Sequence, residues 1–432
     1  MQVRRSASIS FSLTNNFTMR VLSTIVAILL FSTPLSAADW PEFRGPNRNG
    51  IADVKSAPVQ WDESKNIAWK VPLPGEGWSS PVVVKDRIYL TAAIPVADSD
   101  PKSYWLSAIC LDAKTGKDVW VKQLIAEDGS KSPKIHSKNS HASPTPIVEG
   151  NRIYVHFGHM GTACLDLKGN VIWGNDKLGW EPVHGNGGSP AIVGKALIFS
   201  RDGANSPNAI ALDKTTGQPL WTTPRPNDPP KKFAFCTPLA IEVNGKTQVI
   251  LPAAGSVCAY DPATGKEIWH VNTDGYSTIP RPVYAHGLVF ISTGYDSPTV
   301  MAIKPDGQGD VTDTHIVWQS KKAAPHTPSL LVVGDELYMV SDRGVAACID
   351  AKTGEEHWQK RLGGNYSASP VFAAGRIYLQ DEDGVCHVIA AGKEFEELAV
   401  NKLPERTLAS YAVIEGAIFL RGDKNLYRIE EK

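Results

Sequence analysis

Tryptophan recurs along this chain at an interval that only a repeat architecture accounts for. Trp69, Trp120, Trp173, Trp221, Trp269, Trp318 and Trp358 stand about 40 to 53 residues apart. Four of them follow a complete turn phrase. Asp112-Ala113-Lys114-Thr115-Gly116 precedes Trp120, Asp213 to Gly217 precedes Trp221, Asp261 to Gly265 precedes Trp269, and Asp350 to Gly354 precedes Trp358. A shortened form, Asp166-Leu167-Lys168-Gly169-Asn170, precedes Trp173. The phrase has a mechanical meaning. Asp bonds its own backbone two residues on, and Gly supplies a left-handed turn position. Each turn closes a hairpin whose second strand carries the tryptophan onto a neighbouring unit, where burial of the ring contributes a few kcal/mol.

Upstream of each turn the units share a second phrase. Ser80-Pro81, Ser189-Pro190, Thr237-Pro238, Thr327-Pro328 and Ser369-Pro370 each open an apolar strand. A short turn and two more strands follow. Four short strands per period of 40 to 50 residues read as the blades of a β-propeller. Seven units run from Ser80 to Leu398, with Leu398 standing where tryptophan is expected. The unit from Tyr411 to Ile429 is one strand short, and an orphan tryptophan strand, Asn66 to Lys70, lies at the other end of the chain. Pairing the two closes the ring and hides both edges. The expected fold is therefore all-β: an eight-bladed β-propeller of four-stranded antiparallel blades over residues 61–432, its last blade closed by an N-terminal strand. Residues 39–60 form an N-terminal extension to it.

Residues 1–38 read as an export signal. Arg4, Arg5 and Arg20 are its only charges, an apolar run spans Val21 to Phe31, and small residues end it at Ala37-Ala38. Met19 is a second candidate start. The expected location is periplasmic or extracellular. Removing three arginines from 44 basic residues leaves 41 against 45 acidic ones, about −4. That balance, with no long run of one sign, argues against a nucleic-acid partner. The apolar run is short for a membrane span, so no transmembrane segment is expected in the mature chain, which reads as a monomer. Cys110, Cys164 and Cys348 each precede a turn Asp by two residues, a place where Ala211 and Ala259 stand in other units. Small buried thiols are expected there rather than disulfides.

These phrases resemble the pyrroloquinoline-quinone (PQQ) type propeller repeat of quinoprotein alcohol dehydrogenases and of the BamB outer-membrane assembly lipoproteins. Trp40-Pro41-Glu42-Phe43-Arg44-Gly45-Pro46 is similar to the N-terminal signature of exported PQQ-binding-like propellers. The resemblance implies a scaffold rather than one activity. It also implies PQQ with calcium as a cofactor, but the adjacent Cys-Cys of the dehydrogenases is missing and no calcium-binding Glu, Asn and Asp set can be placed. No lipid-carrying Cys follows the signal, the first being Cys110.

In such a repeat the segments entering the first strand and the loops after the second share one face, opposite the Asp-x-x-Thr-Gly turns. The candidate ligand-funnel residues are Trp78, His141, Phe235, Tyr276, Arg281, His326 and Tyr366 in the entering segments. The second-strand loops add His156, His159, Arg201, Asp202, Tyr295, Asp296, Asp342, Arg343 and Asp381. His136 and His184 also fall in this part of the sequence, yet no histidine spacing matches a metal motif. No catalytic set stands out. The reading favoured is a non-enzymatic binding or scaffold propeller that takes a protein, small-molecule or glycan partner on one face. A PQQ- and calcium-dependent oxidoreductase and a polysaccharide or peptide binder are the alternatives.

Overall fold

The structure, a computed structural model, describes residues 39–96, 103–128, 134–205 and 207–431; the export-signal segment lies outside them. Among these residues there are eight sheets, each built on four antiparallel strands taken in sequence order. Blade 1 runs Val82–Val84, Arg87–Pro95, Tyr104–Asp112 and Asp118–Glu127. Blades 2 to 7 begin at Ile147–Glu149, Ala191–Val193, Leu239–Val243, Val283–Ala285, Leu331–Val333 and Val371–Ala373. Blade 8 has Ala412–Ile414, Ala417–Arg421 and Asn425–Glu430, and Ile67–Pro72 completes it, with Trp69 opposite Arg428. First strands touch between blades 1 and 2, 3 and 4, 5 and 6, 6 and 7, and between blade 8 and blade 1. The ring is closed as the strand count requires.

The fourth strands are half-exposed edges, and in five blades a tryptophan N–H fastens the edge to the Asp turn of the next blade. The Trp69 indole N–H donates to the Ala113 carbonyl, Trp120 to Leu167, Trp173 to Lys214, Trp221 to Pro262 and Trp318 to Ala351. In all five the acceptor is the residue after the turn Asp of the following blade. The turn glycine is needed twice over. Gly217 sits at φ +71°, and an added Cβ would stand 2.4 Å from the Trp173 ring. Side-chain bonds from Thr115 and Thr353 to Asp112 and Asp350 hold the turn shape.

All six cysteines are buried free thiols. Burial pushes the Cys110 thiol up to about 12, so it packs as a small apolar group. No helix among the described residues is long and apolar enough to cross a membrane.

The N-terminal extension has a definite place that its sequence did not announce. Trp40 pairs with Val83 of blade 1, and the Pro41 carbonyl accepts the Val148 N–H of blade 2. Arg48 donates to the Ile192 carbonyl of blade 3 and Arg44 to the Leu330 carbonyl beside blade 6. Phe372 of blade 7 donates to the Gly50 carbonyl, and Ile51–Ala52 then adds a short parallel strand to that blade. One segment of about a dozen residues thus touches the first strands of blades 1, 2, 3 and 7 and the entry to blade 6, so it fills the channel at strand level. Trp40 and Arg44 are each only 1% exposed.

Candidate ligand-binding site

The entering segments and second-strand ends do share one face. Isolated bridges pair Glu76 with Ala93, Tyr276 with Tyr295, and Tyr366 with Asp381. Each ties an entering segment to the end of its own blade's second strand. The mouth so formed holds a cavity of about 320 Å³, the size range of small-molecule pockets.

The floor of this cavity comes from the residue two positions before each first strand. The Ser80 N–H donates to Thr145 Oγ1, Thr145 to Ser189 Oγ, and Ser189 to Thr237 Oγ1, at 2.9 to 3.0 Å. The series resumes as Arg281 donates to Ser329, Ser329 to Ser369, Ser369 to Ser410, and Ser410 back to Ser80. It is a ring of hydroxyls, one per blade, broken only where Arg281 replaces the hydroxyl in blade 5. The Ser-Pro phrase explains the geometry. Proline holds the preceding residue extended and offers no N–H of its own, so the hydroxyl residue is left to bridge blades. In blade 6 the sequence expectation is corrected: Ser329, not Thr327, fills the ring position. Thr327 stands two residues earlier and donates its hydroxyl to Asp342.

Phe43 of the channel-filling segment also lines the cavity, its carbonyl held by the Arg281 guanidinium at 2.6 Å. The wall on one side is an arc of rings. His136 meets His184 at 5.7 Å, His184 meets Phe233 at 5.3 Å, and Phe233 meets Tyr276 at 5.6 Å. Tyr276 meets Tyr295 at 6.2 Å, and Tyr295 stacks on His326 at 4.3 Å. Phe235 packs inside this arc, and Trp78 faces in from the blade 8 to blade 1 connection beneath the Arg406 guanidinium.

Of the candidate funnel residues, Trp78, Phe235, Tyr276 and Tyr295 line the cavity. The others are placed around it or beneath it. Asp296 accepts the Tyr276 hydroxyl at 2.6 Å. Asp342 accepts the His326 and Thr327 N–H groups, bonds that hold its carboxyl below the usual carboxylate range against the opposing effect of burial. Arg343 is exposed beside it. Asp202 makes a buried two-point ion pair with Arg225. Arg201 donates to the Gly179 carbonyl. Arg281 turns away from the mouth to Glu42 and the Pro238 carbonyl. Asp381 accepts the Asp383 and Val385 N–H groups, and Tyr366 is fully buried.

His141, His156 and His159 form a separate group, with His156 buried and the other two half-buried. His141 stacks on Tyr104, His156 shares a proton with Thr162, and His159 bonds Asn186. Burial lowers His156 to about 3 and His159 to about 4, so both are neutral near pH 7. No group of three or more His, Cys, Asp or Glu among the described residues is placed to hold a metal ion.

His136, Lys138, Asn139, His184 and Phe233 also line the cavity, and the sequence did not point to them as mouth residues. They stand in the blade 1 to 2, 2 to 3 and 3 to 4 connections, the longest of the eight by sequence. Connection length is the signal that would have found them.

A PQQ and calcium site does not fit this lining. Its residues include no Asp, no Glu and no Cys, whereas calcium needs several oxygen ligands, carboxylates among them.

The family described as outer membrane protein assembly factor BamB matches residues 51–177, 175–312 and 307–394. The outer membrane protein assembly factor BamB of Moranella endobia is 26% identical over 289 residues, which cover 65% of this chain and 69% of that protein. Tetrathionate hydrolase of Acidithiobacillus ferrooxidans is 24% identical over 306 residues, covering 66% of this chain and 54% of the hydrolase. The chain therefore spans about half the length of that relative. The crystal structure of BamB from Moraxella catarrhalis superposes with a TM-score of 0.60 at 15% identity, over 85% of this chain and 97% of that one, a likeness of fold. The repeat phrases, the eight blades and a family match over most of the sequence agree: the chain belongs to the family of the outer membrane protein assembly factor BamB.

Proposed function

We propose that this chain is an exported, non-enzymatic propeller that binds a partner through the mouth face. The observation that carries the reading is the state of the polar groups there. The ring hydroxyls accept main-chain N–H groups, and His136 Nδ1 accepts the Lys138 N–H. Asp202 and Asp342 are held by internal donors. No serine of the lining is bonded to a histidine, the pairing a nucleophilic mechanism needs. What the mouth offers instead is a concave surface of rings and hydroxyls suited to recognition. The protein-assembly role in the name of its BamB relatives is consistent with a protein among its partners.

A fragment screen read by thermal shift tests the reading. Binders are expected whose shift is lost in Tyr276→Ala and kept in Thr215→Ala on the opposite face. Binders indifferent to Tyr276→Ala, or a screen with none, would count against the mouth.

A further inference from the structure

The cavity has an unusual balance of hydrogen-bonding groups. Eleven of its 25 lining residues are Ser or Thr, and none is acidic. In the ring, Ser80, Thr145, Ser189, Thr237 and Ser410 each accept a main-chain N–H from the preceding blade. A hydroxyl that accepts still has its own hydrogen to give, so these five ring positions can each donate into the cavity. The nearest carboxylates are engaged at the rim: Glu382 with Lys138 and Ser367, Asp342 with Thr327, and Asp296 with Tyr276.

Charge beneath the floor has the same sense. In the channel-filling segment and beside it, Arg48 and Arg281 share one carboxylate, Glu42, while Arg44 bonds only the Asn49 and Leu330 carbonyls. Arg44 is fully buried, and its Nε and Nη1 bond to nothing among the described residues. In a low-dielectric interior such an excess is felt across several ångströms. A group that only accepts, next to an apolar body, matches the donor floor and the ring-lined wall together.

Resting on the binding reading above, we propose that the mouth cavity takes a small organic carboxylate, its oxygens on the Ser/Thr ring and its apolar body against Phe233, Phe235 and Tyr276. Calorimetry on the purified chain with 3-phenylpropionate and its uncharged amide, 3-phenylpropionamide, tests this. The acid is expected to bind about tenfold more tightly than the amide, since hydrogen bonds to a charged acceptor are the stronger kind. Phe235→Ala is expected to weaken both ligands alike and leave their ratio intact. Thr237→Val, checked by thermal melting to be folded, is expected to shrink the ratio. If Thr237→Val does not fold, Ser410→Ala takes its place. Equal binding of acid and amide overturns the carboxylate assignment while leaving the cavity a binding site. Binding of neither overturns it too, and the fragment screen then decides separately whether the mouth binds anything.

Discussion

Two junctions between blades show what the repeat fixes and what it leaves open. Between blades 2 and 3, the Trp173 indole reaches the Lys214 carbonyl of the next turn, and Thr145 and Ser189 join across the ring. Between blades 4 and 5 both devices are replaced. Blade 5 has the excursion 304–316 in place of an Asp-x-x-Thr-Gly turn, so Trp269 donates to Gln248 of its own blade, and Gln248 passes a bond on to the Pro305 carbonyl. Gly309–Asp310 from the excursion pairs with Trp269–His270 as an added parallel strand. On the ring, Arg281 stands where a hydroxyl is expected and reaches Glu42 and Phe43 instead. The irregular junction therefore adds a side-chain anchor for the N-terminal segment beneath the mouth, at Glu42 and Phe43. A repeat tolerates the loss of its standard fastening where the chain supplies another, and here the substitute sets the floor of the cavity.

The largest expected effect that breaks this comparison is removal of the rings. Trp173→Ala and Trp269→Ala should each lower unfolding free energy by about 3–5 kcal/mol, with Trp269 at the upper end because it is wholly buried. The phenylalanine variants sharpen the contrast. Trp173→Phe should cost about 1 kcal/mol, the net worth of one hydrogen bond. Trp269→Phe strands the buried Gln248 acceptor and should cost about 1–3 kcal/mol. Chemical denaturation measures all four, and equal costs for the two Phe variants would show that the junctions are fastened alike.

Arg281→Thr comes next. It restores a ring hydroxyl to blade 5 and removes the anchor of Glu42 and Phe43. Breaking a buried ion pair by deleting one partner costs about 3 kcal/mol or more, less whatever the restored bridge returns. Denaturation together with limited proteolysis near residues 40–50 checks it. A variant as stable and as protected as the parent would mean that Arg281 does not hold the segment.

The blade phrases were fully legible in the sequence because each is local: turn, strand and tryptophan lie within a dozen residues. Closure of blade 8 by Ile67–Pro72 was legible from counting strands. The position of Trp40 to Gly50 was not, because its partners Val83, Ile192, Arg281 and Leu330 are scattered over the chain. Nor was the fate of the candidate mouth residues. Asp202 and Arg281 are polar residues at the right place in the repeat, but their partners Arg225 and Glu42 belong to other segments. Tyr276, Tyr295 and His326 of the wall were legible from their place in the repeat, but His136, His184 and Phe233 were not, because they stand in connections of variable length, outside the periodic phrase.

A pH dependence separates the two faces. His156 is fully buried and neutral, its folded value of about 3 far below the ordinary histidine value of about 6.5. The unfolded chain takes up the proton first, so stability falls as pH drops from about 6.5 towards 3, by about 2 kcal/mol at pH 5. The turn aspartates Asp112 and Asp213 on the opposite face have values lowered by bonds from Thr115 and Thr215. Their contribution is complete above the ordinary carboxylate range and is lost only at lower pH. Melting temperatures at pH 7 and 5 should therefore converge in a folded His156→Phe variant, and an unchanged difference would point to other groups.

The most direct test of the account is catalytic competence. The purified chain is incubated with PQQ and calcium and assayed for alcohol-dependent dye reduction. A cavity lining without carboxylates to hold the ion predicts no rate above the buffer control, with or without calcium. Calcium-dependent turnover that disappears in Tyr276→Ala would contradict the non-enzymatic reading outright.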